Sequence, residues 1–204
     1  MAVFKPFPAI RPRRKYCART LCPPYDVVSR KEASDYSADP VSFMRVIRTD
    51  AALPEEMEYS KESYELSRSI LDQMLADGIY FMDEKPRYYV YSETFHDHTQ
   101  TGIAGCASID DYDHGIIKIH EKTLPEKEQD RIRHFAACDA NTEPVFLTYR
   151  DNEPVRQMTE SITASEEPAY EAVDREGVIH RLWPVVNDSA VKLLEQMFQD
   201  IEAF

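Results

Sequence analysis

The residues best suited to chemistry in this chain of 204 residues lie together in the run Ile119-His-Glu-Lys-Thr-Leu-Pro-Glu-Lys-Glu-Gln-Asp-Arg131. Thr123-Leu-Pro-Glu126 has the spacing of a capping box, in which the Thr hydroxyl accepts from the amide three residues on and the Glu returns to the cap amide. Pro125 gives up a donor that would be orphaned in a first turn anyway. The spacing predicts a helix from Leu124. Its first-turn amides and positive dipole end, with Lys122 and Lys127 close by, suit an anion such as phosphate or carboxylate. Lys127, Arg131 and His134 recur at i, i+4 and i+7 as a polar stripe, with Ile132, Phe135 and Ala136 expected on the buried face. His120 and Glu121 stand just before the cap, where an imidazole of unperturbed pKa about 6.5 and a carboxylate would serve proton transfer. The candidate catalytic residues are therefore His120 and Glu121, and the candidate phosphate ligands are Lys122, Thr123, Lys127 and Arg131. The same run also reads as a charged loop entering a surface helix, with ion pairs worth about 0–1 kcal/mol each.

Other patterns carry less. Tyr25 and Asp26 follow two prolines, which would fix a carboxylate in a rigid place as a further ligand contact or simply make a turn. His96-x-His98 lacks further metal ligands at a usable spacing and reads as a hairpin tip. Asp110-Asp-Tyr-Asp-His114 lacks the twelve-residue frame of a calcium loop and reads as a loop. No metal site is assigned. Cys17, Cys22, Cys106 and Cys138 are scattered; reduced thiols, a zinc half-site and a disulfide compete, and spacing favours thiols. With five glycines in the chain, no P-loop, dinucleotide-binding glycine pattern or nucleophile elbow is present.

These residues need a scaffold, and periodicity supplies one of mixed class. Prolines at 6, 8 and 12 make the start extended and irregular. Ser29 caps a short helix through about Tyr36. From Ser60, the spacing of Tyr64, Ser67, Leu71, Met74 and Leu75 predicts an amphipathic helix closed by Gly78. Residues 79–82, 87–95 and 101–109 are rich in Tyr, Phe, Ile and Val and predict a meander with its tip at 96–100. A helix over about 124–138, a strand over 144–149, a polar helix over about 153–163, a hairpin of 169–173 with 178–183, and a last helix over 189–201 complete the series. The expected class is α/β (α+β): a mixed, largely antiparallel sheet with helices packed on it. The expected organisation is a single domain, with a subdivision into a helical or irregular 1–84 and a sheet-containing 85–204.

Composition excludes several functions. The longest apolar runs fall far short of the ~20 residues that cross a bilayer, and the basic start lacks the apolar core of a secretory signal. A cytoplasmic protein is expected, with no membrane partner. The net charge is −13, which repels nucleic acid over about a Debye length, ~8 Å at physiological salt. Nucleic acid is thus an improbable partner. The charge is uneven: residues 1–31 hold eight basic residues against Asp26, whereas 50–84 hold ten acidic and two basic. The basic stretch either forms a local patch or docks on the acidic remainder.

Four motifs in one order, Phe7-x-Ala-Ile-Arg-Pro12, Pro24-Tyr-Asp-Val27, His120-Glu-Lys-Thr-x-Pro-Glu-Lys-Glu-x-Asp-Arg131 and Asn141-Thr-x-Pro-Val-Phe-Leu-Thr-Tyr149, resemble the bacterial family catalogued as domain of unknown function 1015. The likeness runs over the whole chain. Members of that family are about twice as long and carry an Asp-Gly-His-His-Arg motif soon after a helix like the last one here. The resemblance implies an N-terminal part of a longer protein, or a short member with half a site completed by a missing C-terminal half or a homo-oligomer. The absent motif is similar to one in the ParB and sulfiredoxin superfamily, which binds nucleotide and includes a free serine kinase. What this implies is nucleotide-dependent phosphoryl transfer, of kinase or phosphatase type, on a small metabolite such as serine or phosphoserine, with a nucleotide and Mg²⁺ as cofactors. Lys122, Lys127 and Arg131 would contact phosphate, and Glu121 or His120 would move the proton. The alternative is a non-catalytic regulator that binds a phospho-metabolite or nucleotide.

Overall fold

A computed structural model describes residues 2–119, 123–199 and 201. In chain order its elements are β1 (Phe4–Lys5), β2 (Ile10–Pro12), α1 (Cys17–Thr20), α2 (Arg30–Ser37), α3 (Met44–Ile47), α4 (Lys61–Ala76), β3 (Tyr80–Met82), β4 (Tyr89–Phe95), β5 (His98–Ala104), β6 (Cys106–Ala107), α5 (Ile109–Asp113), α6 (Pro125–Cys138), α7 (Glu153–Ser165), β7 (Tyr170–Val173), β8 (Ile179–Pro184) and α8 (Asp188–Phe198). They fall into two compact units, each made of separate stretches of chain. The first comprises Met1–Ile10, Met82–Lys122 and Val145–Phe204; the second comprises Arg11–Phe81 and Thr123–Pro144.

The first unit is built on an antiparallel sheet of order β5-β4-β8-β7. Alternation along β4 and β8 places Val90 opposite Trp183 and Ser92 opposite Arg181 on one face. Val90 and Trp183 join Ile162 of α7 and Leu194 of α8 in the core. The mixed, mainly antiparallel class read from the sequence is what the structure has. The hairpin tip is tighter than expected: β5 already starts at His98, so only His96, at φ +54°, and Asp97 turn the chain. Gly105 is required for packing, because a Cβ there would come within 2.4 Å of the Phe4 ring. That ring stacks on Tyr88 at 5.3 Å between centroids.

Two expectations fail in this unit. Residues 144–149 form no strand beyond a single bridge at Tyr149; Val145 and Phe146 are 78% and 75% exposed. Their β-branched and aromatic side chains express a preference that needs a paired, half-buried surface to be realised, and no described strand pairs with them. Asp110–Asp113 belong to the short helix α5 rather than a loop, because the Ser108 hydroxyl accepts from the Asp111 amide at 3.2 Å and caps it.

The second unit is mainly helical. Ser29 caps α2 in a complete capping box with Glu32. Ser60 caps α4, and Gly78 follows its C-cap at φ +66°, a left-handed conformation that costs glycine least. The buried side of α4 is Ser63, Tyr64, Ser67, Leu71 and Met74, and α6 packs on this helix.

A candidate ligand cleft in the helical unit

The helix predicted from Leu124 is present as α6, but its start and its orientation differ from the expectation. Leu124 is the N-cap and Pro125 the first helical residue, with no side-chain cap; Thr123 lies one residue too early to cap, and the capping box is absent. The Lys127 and Glu128 amides both donate to the Leu124 carbonyl, at 3.0 and 3.1 Å. Pro125 has no N–H to offer, so the first turn presents the Glu126 amide alone, flanked by the carboxylates of Glu126 and Glu128. That is a poor anion cradle.

The helix is also turned inside out relative to its expected amphipathicity. Asp130, His134 and Cys138 are buried, Lys127 and Arg131 are half-buried, and Ile132 is 50% exposed. Ionisable residues face inward on α4, which is possible because they satisfy one another. Tyr64 Oη donates to Asp130 Oδ1 at 2.8 Å. Arg131 donates through Nε and Nη2 to Asp130 Oδ2, at 3.0 and 2.6 Å, and through Nη1 to Glu143 Oε2 at 3.1 Å. Its guanidinium lies 3.9 Å from the centroid of the Tyr25 ring, within cation–π range. All the directions in which Arg131 is best able to grip a phosphate are thus taken.

This inward face forms one wall of a cleft of about 160 Å³. Tyr25 and Asp26 line it, together with Lys127, Asp130, Arg131 and His134, so four of the expected contacts converge. A second wall holds Arg48, which donates to both oxygens of Asp50 at 2.9 and 3.0 Å and to the Tyr25 and Val28 carbonyls at 2.8 and 2.9 Å. Thr49 Oγ1 meets Ser63 Oγ at 2.9 Å and Ser67 Oγ at 3.0 Å. Tyr59 stands at the cleft with φ +66°, a costly conformation for a bulky residue.

Burial controls the titration of this wall. His134 is pushed down to about 4, chiefly by desolvation and then by the Arg131 charge, so it is neutral at pH 7. Burial and the hydrogen bond to Asp130 push the Tyr64 phenol up to about 12. Burial also raises the Cys138 thiol, to about 11. None of these favours a ready nucleophile. Once Arg48 is assigned to Asp50, and Arg131 to Asp130 and Glu143, the charged groups of the cleft without an ion-pair partner among the described residues include Asp26 and Lys127. Two carboxylates, Asp26 and Glu58, and one ammonium, Lys127, remain to meet a ligand.

Thr123 is exposed before α6. His120, Glu121 and Lys122 lie outside the described residues. The sequence reading missed Tyr64, Asp130, Arg48 and Asp50; the available signal was the polar pair Ser63 and Ser67 on the buried side of α4, which shows that its partner surface is polar. Among the described residues no three His, Cys, Asp or Glu side chains cluster as metal ligands, and all four cysteines are free. No described helix is long and apolar enough to cross a membrane. A family model described as a protein of unknown function (DUF1015) matches residues 4–204. No curated protein and no solved structure matches.

Proposed function

The chain belongs to the DUF1015 family of proteins of unknown function, and from that premise we propose that the cleft of the helical unit binds a zwitterionic metabolite of amino-acid size, serine or phosphoserine, and that the reaction is phosphoryl transfer at its side chain. The observation that carries this reading is that, among the described residues, Asp26 and Glu58 on one side and Lys127 on the other are left without ion-pair partners on a cleft whose arginines are already neutralised. Asp26 would take the ligand ammonium and Lys127 its carboxylate or phosphate. Arg131 then positions Tyr25 and Asp130 rather than gripping phosphate itself. Proton transfer falls to Glu121 or His120 in the segment leading into α6.

Size supports a metabolite over a nucleotide: the cleft offers about 160 Å³, whereas pockets for drug-sized ligands span roughly 300–1,000 Å³. The residues of this cleft do not fit a whole nucleotide, so a nucleotide donor would present only its terminal phosphate to the bound hydroxyl, the remaining diphosphate leaving from outside the cleft. Calorimetric titration with serine and phosphoserine, followed by nucleotide turnover with each present, tests the reading. Binding that is lost in Asp26→Asn and Lys127→Met, with turnover abolished in Glu121→Gln while that variant stays folded, is the expected result; no binding of either compound refutes it.

A second reading has one observation in its favour. Phosphoryl transfer needs strong charge stabilisation of the transferring group, and with Arg48 and Arg131 saturated Lys127 remains for it among the described cations of the cleft. A non-catalytic regulator that senses phosphoserine fits that economy. Ligand-induced thermal stabilisation without turnover would favour it.

A further inference from the structure

The polar half of the sheet in the first unit forms a groove of about 500 Å³ at the C-terminal end of α7, lined by Ser92, Thr99, Thr101, Glu171, Arg181 and the stretch 163–168, which holds the last helical residues and those that follow. Strand register explains its chemistry. Thr101, Ser92, Arg181 and Glu171 are successive partners across β5, β4, β8 and β7, so their side chains form one row on the face that carries Val90 and Trp183 two residues along. The apolar part of that face is covered by α7 and α8; the row of hydroxyls and charges is not.

We propose that this groove is a binding site for a polyhydroxylated organic cation of the amino-sugar class. Three observations combine. Ser92 is only 3% exposed and still lines the groove, so a side chain held in the middle of the sheet supplies a fixed hydroxyl there. The cation of the groove, Arg181, is neutralised by Glu171 at 2.7 Å, while Glu166 and Glu167 remain without ion-pair partners among the described residues. The adjacent helix end adds the negative pole of its dipole. Exposed Thr99 and Thr101 offer further hydroxyls, and the floor is the buried Trp183, whose indole nitrogen is already satisfied by the Glu166 carbonyl at 2.9 Å. Hydroxyls over an aromatic floor with a surplus of carboxylates select a donor-rich, positively charged ligand and reject an acid.

Backbone-amide NMR titration of the full chain at pH 6.5 with glucosamine, N-acetylglucosamine and gluconate tests this. Glucosamine is expected to saturate with shifts at Ser92, Thr101 and Glu171; N-acetylglucosamine, the same ring without the charge, is expected to bind at least tenfold more weakly, and gluconate not at all. Ser92→Val and Glu171→Gln should each weaken glucosamine several-fold, the second on an exposed side chain whose change leaves folding intact. Failure to saturate, equal response to all three compounds, shifts confined to other residues, or unchanged affinity in both variants would each overturn the proposal.

Discussion

Tyr64 and Asp130, 66 positions apart in sequence, meet in a buried hydrogen bond of 2.8 Å that fastens the inward face of α6 to α4. A phenol and a carboxylate on the sides of two packed helices hold a place that apolar residues fill in most bundles. The bond to a charged acceptor is worth about 1.5–3 kcal/mol. Tyr64→Phe keeps the ring and removes only the donor, so it should lower stability by about 2 kcal/mol, visible as a fall in the urea midpoint with an unchanged slope.

Asp130 also accepts from Arg131, and its loss leaves a guanidinium with 17% of its side chain exposed facing Glu143 alone. Breaking a buried pair from one side costs about 3–5 kcal/mol. Asp130→Asn should therefore destabilise more than Tyr64→Phe; partial exposure and the remaining Glu143 partner place the expected loss near ~3 kcal/mol. Denaturation of the two variants in parallel decides the order.

His134 gives the helical unit a pH dependence of definite sign. Its folded value, about 4, lies below the ordinary 6.5, so the unfolded chain binds the proton more readily. The stability it contributes is whole above pH 6.5 and is lost as pH falls towards 4. The full effect is on the order of 3 kcal/mol. Urea midpoints measured between pH 7.5 and 4 should fall in the native protein and fall less steeply in His134→Asn.

Lys127 is half-buried on the cleft and makes no ion pair with the described residues, so Lys127→Met should leave the fold within about 0.5 kcal/mol of native. Loss of a charge-assisted bond to the ligand, about 1.5–3 kcal/mol, corresponds to roughly 10- to 100-fold weaker phosphoserine binding. Calorimetry on the variant reads both quantities.

In the first unit the sensitive point is Gly105. Any side chain there meets the Phe4 ring, and overpacking of this kind costs about 1–3 kcal/mol. Gly105→Ala is expected to lower the thermal midpoint and to perturb the near-ultraviolet signal of the Phe4 and Tyr88 stack.

Local signals carried much of the fold. Ser29, Ser60 and Gly78 bound their helices where the capping rules put them, and the β-rich runs over 87–95 and 178–183 became the neighbouring strands β4 and β8. Two local readings failed, the cap at Thr123, which falls on Leu124, and the loop at Asp110–Asp113, which Ser108 caps as a helix; the other failures depend on a partner. Val145 and Phe146 read as strand but pair with no described strand. The stripe Lys127, Arg131, His134 was legible as a stripe, yet which side of α6 faces inward is decided by Tyr64, Ser63 and Ser67 on another helix, and a single-helix pattern contains no such information. Tyr25 and Asp26 were legible as a rigid turn; the place of Tyr25 under Arg131 depends on a contact that spans more than a hundred residues.

The interleaving of the two units fixes the order in which a growing chain can complete them. The helical unit closes once Pro144 has left the ribosome, whereas β4 must wait for its partner β8, which ends at Pro184. At about 5–20 residues per second, the forty intervening residues take roughly 2–8 s. During that interval the hairpin of β4 and β5 exists with one long edge uncovered, and the nascent protein is most exposed to aggregation or to a chaperone just as the cleft of the helical unit becomes able to form.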